Sequence, residues 1–248
     1  MGNPFSLDEF YDGCPQIEEE FQTELDDSLN PRSPDFLFQL VGDLPLAHAA
    51  CALDVGCGER QDTLRLAERF NFRATGVDPV ERHIAVANNP LVPGHSNLVG
   101  RVSFKIGRAE ALPVEDATVD LVWCRDVLSH VEAIESACAE FRRVLKNDGR
   151  AIVYQMFGTE HLERREAEWL WNMMGVVPNS AGPVQTEQAF GAGGLRIQKR
   201  IIIGIEFGEW AEETSRNATR RYCTLLDCFA LLAVTRRNLA RRLRNHAW

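Results

Sequence analysis

Between residues 51 and 157 the chain alternates short apolar runs with longer segments whose apolar residues recur every three or four positions. Such alternation predicts strands and amphipathic helices in turn. Residues 51–55 form an apolar run ending at glycines, and 62–70 follow with Leu64, Leu66, Ala67 and Phe70 at helical spacing. A second strand is expected at 73–77 and a second helix at 80–88. Third and fourth strands are expected at 102–106 and 119–124. The segment 131–145 has Ile134, Cys138, Phe141 and Leu145 at steps of three or four, as in an amphipathic helix. After the turn Asn147-Asp148-Gly149, residues 150–157 predict a fifth strand. Strands separated by helices imply parallel pairing through right-handed crossovers. The expected fold class is therefore α/β, a Rossmann-like, doubly wound, mostly parallel sheet.

The flanks differ in character. Residues 1–45 are acidic, carry Pro4, Pro15, Pro31 and Pro34, and predict short helices at 16–26 and 34–41. Beyond 157 a helix is expected around 162–174, then a Gly- and Pro-rich stretch, then a β-branched run at 195–205 that reads as a sixth strand. Helical spacing returns at 224–243, with Leu225, Cys228, Phe229, Leu232 and Leu239 on one side. The organisation expected is an N-terminal helical segment at 1–45, a core at 46–205 and a C-terminal helical extension at 206–248.

Charge and cysteine content narrow the partners. The 248 residues carry a formal net charge of -9, which disfavours broad affinity for nucleic acid, because phosphate binding rests on Lys and Arg displacing counterions. The charge is uneven. Residues 1–50 hold eleven carboxylates against Arg32 alone, whereas the last thirteen residues hold Arg236, Arg237, Arg241, Arg242 and Arg244 and no carboxylate. The seven cysteines, Cys14, Cys51, Cys57, Cys124, Cys138, Cys223 and Cys228, form no C-x-x-C pair and lie near no paired histidines. That pattern predicts reduced thiols in a cytoplasmic protein and no bound metal. No apolar run approaches the roughly 20 residues of a membrane span, and the N-terminus lacks a leader pattern.

The first expected strand ends in the turn Gly56-Cys57-Gly58, where glycines allow close backbone approach to a ligand. A carboxylate, Asp78, ends the second, where it could accept ribose hydroxyls or cap the following helix. In a parallel sheet, ligands bind beyond the carboxyl ends of the strands at the switch point. A dinucleotide fingerprint would need a third glycine where Gln61 stands. The pair of features points to a nucleoside cofactor.

Four segments in order, LDVGCG at 53–58, GVDP at 76–79, GRAEALPVEDATVDLVWCRDVLSHV at 107–131 and FRRVLKNDGRAIVY at 141–154, resemble the class I S-adenosylmethionine-dependent methyltransferases of the small-molecule branch. The resemblance implies that Gly56, Cys57 and Gly58 face the methionine part of the cofactor, with Asp54 beneath them organising its amino group. It implies further that Asp78 holds the ribose hydroxyls, Pro79 lies along the adenine, Ala109 and Glu110 flank the other side of the ring, and Cys124 and Arg125 line the methionine end. Arg60 stands where the family often has a third glycine, which implies a less open turn with its guanidinium near the methionine carboxylate. Arg108 replaces a frequent aspartate. Such sheets normally end in an antiparallel seventh strand, for which no pattern is visible here, so a bare sheet edge and an apolar helix would favour a homodimer.

Methyl transfer from a sulfonium is an in-line displacement, so alignment is the main task and a base serves only a protonated acceptor. His130 and Asp126 are the catalytic candidates; the alternative for His130 is a helix-start residue packed on the sheet. His161 and Glu206 are weaker candidates, and His48, His83, His95 and His246 read as surface or helix-edge residues. By the resemblance, residues 1–45 form a lid in which Tyr11 hydrogen-bonds near the sulfonium. Trp169, Trp171, Met173 and Met174 could wall an acceptor pocket or simply fill a helix core. The function expected is O- or N-methylation of a small metabolite, plausibly in secondary metabolism, yielding S-adenosylhomocysteine. C-methylation of a quinone-like ring, and cofactor binding without transfer, stand as alternatives.

Overall fold

The computed structural model describes residues 23, 25–26, 29, 32–90, 97–157, 165, 168, 171, 175–180 and 182–203. The chain falls into two compact units, one of Met1–Leu25 with Asp35–Arg200, the other of Asp26–Pro34 with Ile201–Trp248. The first contains a parallel sheet of five strands: β1 (Cys51–Val55), β2 (Arg73–Asp78), β3 (Val102–Ile106), β4 (Val119–Arg125) and β5 (Leu145–Tyr154). Their order is β3-β2-β1-β4-β5. The sheet therefore reverses direction of winding between β1 and β4, which opens a crevice at the carboxyl ends of those two strands.

The connecting helices are α1 (Phe36–Gly42), α2 (Gln61–Phe70), α3 (Glu81–Ala87), α4 (Ile134–Val144) and α5 (Pro183–Ala192). β1 and β4 are buried along almost their whole length, and their apolar residues join α4 in the core around Leu53, Val122, Ala137 and Phe141. Near-continuous apolar strands are what a sheet covered on both faces requires. Gly76 in β2 is dictated by packing: a Cβ there would lie 2.7 Å from the Phe104 ring and 2.8 Å from Cys57 Sγ.

Several expectations are corrected. β5 begins at Leu145 rather than at 150, and the Asn147-Asp148-Gly149 turn is a bulge inside it, marked by a register shift opposite Val119 and Leu121. Gly149 suits this place because a Cβ would sit 2.9 Å from Leu145 Cδ2 and 3.1 Å from Val119 O. The helix expected at 131–145 starts at Ile134, after a separate 3₁₀ turn at Leu128–His130.

The sixth strand is not formed over 195–203, where the chain is irregular. A β-branched run needs a ladder partner. Here Leu195 N instead bonds Phe190 O at 2.8 Å, and Arg200 Nε pairs with Glu187 Oε1 at 3.0 Å, which holds 195–200 against α5. In the second unit Arg32 donates to Ile203 O at 3.3 Å.

α5 lies in the Gly- and Pro-rich stretch for which the sequence pattern gives no element. Pro183 supplies the fixed φ suited to a first helical turn, and the helix stops at Gly193 and Gly194, the latter at φ 79. A Cβ on Gly193 would come within 2.4 Å of Cys138 Cβ, so glycine lets α5 dock against α4.

Tyr11, the 224–243 helix, His95, His161, Glu206, Trp169, Met173 and Met174 lie outside the described residues. Among the described residues no helix is long and apolar enough to cross a membrane.

Candidate functional site

The turn after β1 is built on left-handed backbone. Gly56 and Gly58 have φ 76 and 49, and a Cβ on Gly56 would meet Val127 Cγ2 at 2.2 Å. Gly56 N and Cys57 N both donate to Val77 O, at 2.8 and 3.1 Å, so the turn hangs from the end of β2. Glycine is needed on both counts, conformation and close approach.

Asp78 ends β2 and is buried. Its Oδ2 accepts from Gly58 N at 3.0 Å; its Oδ1 accepts from Val80 N at 2.9 Å and bonds His83 Nδ1 at 3.1 Å. A carboxylate offers about four acceptor sites, and three are taken. Asp78 does not cap the following helix: Val80 is the N-cap of α3, and Asp78 Oδ1 holds the N–H of that residue. His83 is corrected from a surface residue to a buried one at 2% exposure, placed behind Asp78 by its position on the inner side of α3 with Ile84 and Ala87.

Asp54, in β1, is 2% exposed and accepts from Thr63 Oγ1 at 2.6 Å. Burial first, and then the charge of Asp62, push its pKa up to about 8. A buried acid beside Asp62 and Asp78 is chemistry that a cation relieves, which fits the ammonium of an amino-acid-bearing cofactor. Asp62 lies on the inner face of α2 with Thr63, Leu66 and Ala67. Its Oδ2 accepts from Trp123 Nε1 at 3.2 Å and stands 3.5 Å from the buried Arg125 guanidinium. Trp123 in turn stacks on Phe38 of α1, ring centroids 4.7 Å apart.

The turn after β3 joins the same edge. Gly107 N donates to Asp78 O at 3.1 Å, Ala109 is buried, and Glu110 lies 3.6 Å from Arg108. Pro79 is half-buried. Asp54, Gly56, Cys57, Gly58, Asp78, Pro79, Ala109 and Glu110 therefore all fall at or just beyond the carboxyl ends of β1, β2 and β3.

Arg60 is placed elsewhere than implied. At φ 98 it starts α2, and its guanidinium donates to Ala87 O at 3.0 Å and Asn89 O at 2.7 Å, capping the end of α3.

Beyond β4 the chain turns sharply. Cys124 is fully buried, and its thiol is pushed up chiefly by burial. Asp126 has φ 55, a region that costs a non-glycine residue energy and often marks functional sites. Its N–H donates to Tyr154 O at 2.7 Å, and its Oδ1 accepts from Met156 N at 3.0 Å and from Gln155 Nε2. Burial raises the Asp126 pKa, against the Met156 hydrogen bond. His130 Nδ1 bonds Gly175 O at 3.3 Å. A backbone carbonyl accepts only, so Nδ1 carries the proton and neutral His130 keeps Nε2 unprotonated.

Sequence reading missed Asp62, Thr63, His83 and Gln155. The helical spacing of Asp62 with Leu66 and of Thr63 with Ala67 could have exposed the first two. Nothing local marks Gln155.

A five-stranded parallel sheet in this order, with a glycine turn after β1 and a carboxylate after β2, defines the class I, Rossmann-like S-adenosylmethionine-dependent methyltransferase fold. The model of the methyltransferase domain family matches residues 53–153 of the chain. It is 31% identical over 112 residues to 27-O-demethylrifamycin SV methyltransferase of Amycolatopsis mediterranei (strain S699), covering 45% of this chain and 40% of that one. Phosphoethanolamine N-methyltransferase 2 of Haemonchus contortus, solved with S-adenosyl-L-methionine, superposes with TM-score 0.60 at 19% identity, over 77% of this chain and 44% of that one. The cyclase SpnF superposes with TM-score 0.54 at 27% identity, over 67% and 58%. The chain spans about half or less of the length of the curated relatives it matches, 40%, 41% and 52% in three of them.

Proposed function

We propose that this protein binds S-adenosylmethionine at the β1–β2 edge and catalyses methyl transfer to a small, hydroxylated or aminated acceptor, releasing S-adenosylhomocysteine. The observation that carries the reading is the bond from Gly58 N to Asp78 Oδ2, which joins the glycine turn and the strand-end acid into one cradle. Asp54, Gly56, Cys57 and Gly58 would hold the methionine end, Asp78 a ribose hydroxyl, and Pro79, Ala109 and Glu110 the adenine, with Cys124 and Arg125 on the far side of the crevice. When bound, the cofactor supplies an electrophilic methyl group. His130 Nε2 takes the acceptor proton as the new bond to carbon forms. The reaction suits a cytoplasmic enzyme with a small-molecule partner, working as a homodimer, and the rifamycin-related relative supports a place in secondary metabolism.

A second reading, cofactor binding without methyl transfer, draws on the likeness to a protein named for cyclisation rather than for methyl transfer. C-methylation of a quinone-like ring is a third outcome of the same assay. Calorimetry of S-adenosylhomocysteine against wild type and Asp78→Ala is expected to give micromolar binding that weakens at least tenfold in the variant. No heat with wild type sinks the reading. Labelled cofactor with phenols, amines and quinones then separates transfer from mere binding, and His130→Ala should lower turnover about 100-fold.

A further inference from the structure

Gln155 is the first residue after β5, beside Asp126, the first after β4, and the two strands are in register there through Arg125 and Tyr154. The Gln155 side chain is oriented by chemistry. Its Nε2 lies against two acceptors, Asp126 Oδ1 and Met156 O, the latter at 3.3 Å. The reverse orientation would set an oxygen against two oxygens. Oε1 is consequently committed to the other direction, and there it is buried with no hydrogen-bond partner among the described residues. A buried carbonyl oxygen without a donor is costly and rare in folded proteins. Its holder, Asp126, sits in a left-handed conformation at φ 55, so unfavourable backbone geometry supports an unsatisfied acceptor beyond the carboxyl ends of β4 and β5.

We propose that Gln155 Oε1 is the contact that selects the methyl acceptor, receiving a hydrogen bond from a hydroxyl or N–H group of the substrate, with Asp126 as the positioning residue that aims it. The proposal rests on the methyltransferase reading and deepens it: the cofactor takes the ends of β1 and β2, and a donor-bearing acceptor takes the ends of β4 and β5. A fully substituted ether or tertiary amine has no proton to offer and is disfavoured. Gln155 takes no proton from the acceptor, since a carboxamide is too weak a base; it fixes which atom faces the methyl group.

The test uses phenol and anisole, which share a ring and differ in the donor, titrated into protein labelled with ¹⁵N at glutamine side chains, with and without S-adenosylhomocysteine. Phenol should shift the Gln155 amide signal saturably and bind at least fivefold tighter than anisole. Gln155→Leu and Gln155→Met should bring the two ligands within twofold of each other while S-adenosylhomocysteine affinity stays within twofold of wild type. Asp126→Ala should abolish the preference and Asp126→Asn, which keeps an acceptor oxygen, should restore it. Equal binding of phenol and anisole, no shift with phenol, or a preference surviving in both Gln155 variants overturns the proposal and leaves Oε1 to an ordered water. Failure of S-adenosylhomocysteine to bind sinks the methyltransferase reading separately, because the phenol preference is also scored without it.

Discussion

At the ends of β1 and β2 the groups that matter are joined across short stretches of chain: Asp78 to His83 over 5 residues, Asp54 to Thr63 over 9 and Gly58 to Asp78 over 20. At the ends of β4 and β5 the spans are longer: Asp126 to Met156 over 30, His130 to Gly175 over 45 and Val131 to Ser180 over 49. The first half is a preformed cradle of backbone N–H groups and buried acids. The second depends on the return of distant segments. A site that binds one invariant cofactor gains from the first construction. A site that must suit a particular acceptor can change its distant segments without disturbing the sheet.

The largest expected effect strikes the point where the halves touch. Gly56→Ala adds a methyl group 2.2 Å from Val127 Cγ2 at φ 76. Overpacking costs about 1–3 kcal/mol and the left-handed backbone about 1–2 kcal/mol more. Urea unfolding should therefore show a loss of about 3 kcal/mol, with S-adenosylhomocysteine binding lost. Adding Val127→Ala should recover the packing part and leave the backbone part. Full recovery would mean that the cradle's conformation matters less than its contact with the β4 turn.

The buried acid of the cradle gives an effect of intermediate size. Burial and Asp62 raise the Asp54 pKa from 3.8 to about 8. A raised folded-state pKa means that the native state binds the extra proton, so this contribution is full below about pH 4 and is lost as pH rises toward about 8. Stability should fall across that window, and Asp54→Asn should flatten the profile. An arriving ammonium favours the carboxylate, so S-adenosylhomocysteine binding at pH 7 should release protons, seen as a binding enthalpy that varies with buffer ionisation. A flat stability profile in wild type would show that Asp54 is charged in the free protein.

The contrast between the halves also governs what was legible. The first four strands and the helices between them follow from periodicity because each pairs with near neighbours. Asp78 follows from its place at a strand end and Asp54 from the family resemblance, whereas Asp62 is hidden within the helix pattern. α5 escaped because it buries only Thr186 and Ala189, too little for an apolar stripe to stand out. The supposed sixth strand failed for the opposite reason: Ile197, Ile201, Ile202 and Ile203 have strand propensity, but Arg200 is drawn to Glu187 and no ladder forms over 195–203. His83 looked like an edge residue because its partner lies in the preceding strand. Gln155 was invisible because its meaning comes from Asp126, which only the pairing of β4 with β5 brings beside it.

The smallest expected effect concerns Arg60. At φ 98 it occupies backbone that suits glycine, yet its guanidinium satisfies Ala87 O and Asn89 O at the end of α3, carbonyls that a helix terminus otherwise leaves to solvent. Nearby, Arg82 pairs with Glu59 at 3.1 Å, so the turn after β1 is strapped to α3 by two arginines. Arg60→Gly removes a strain of about 1 kcal/mol and loses two part-exposed hydrogen bonds of about 0.5–1.5 kcal/mol each. The net change in unfolding free energy should stay within about 1 kcal/mol. Hydrogen exchange should separate the two contributions: amides of α3 should exchange faster in Arg60→Gly, those of α4 unchanged. Arg60→Ala keeps the strain and loses the bonds, so it should be the less stable of the two. If it is the more stable, the left-handed backbone at residue 60 carries no cost, and the cradle does not need glycine there.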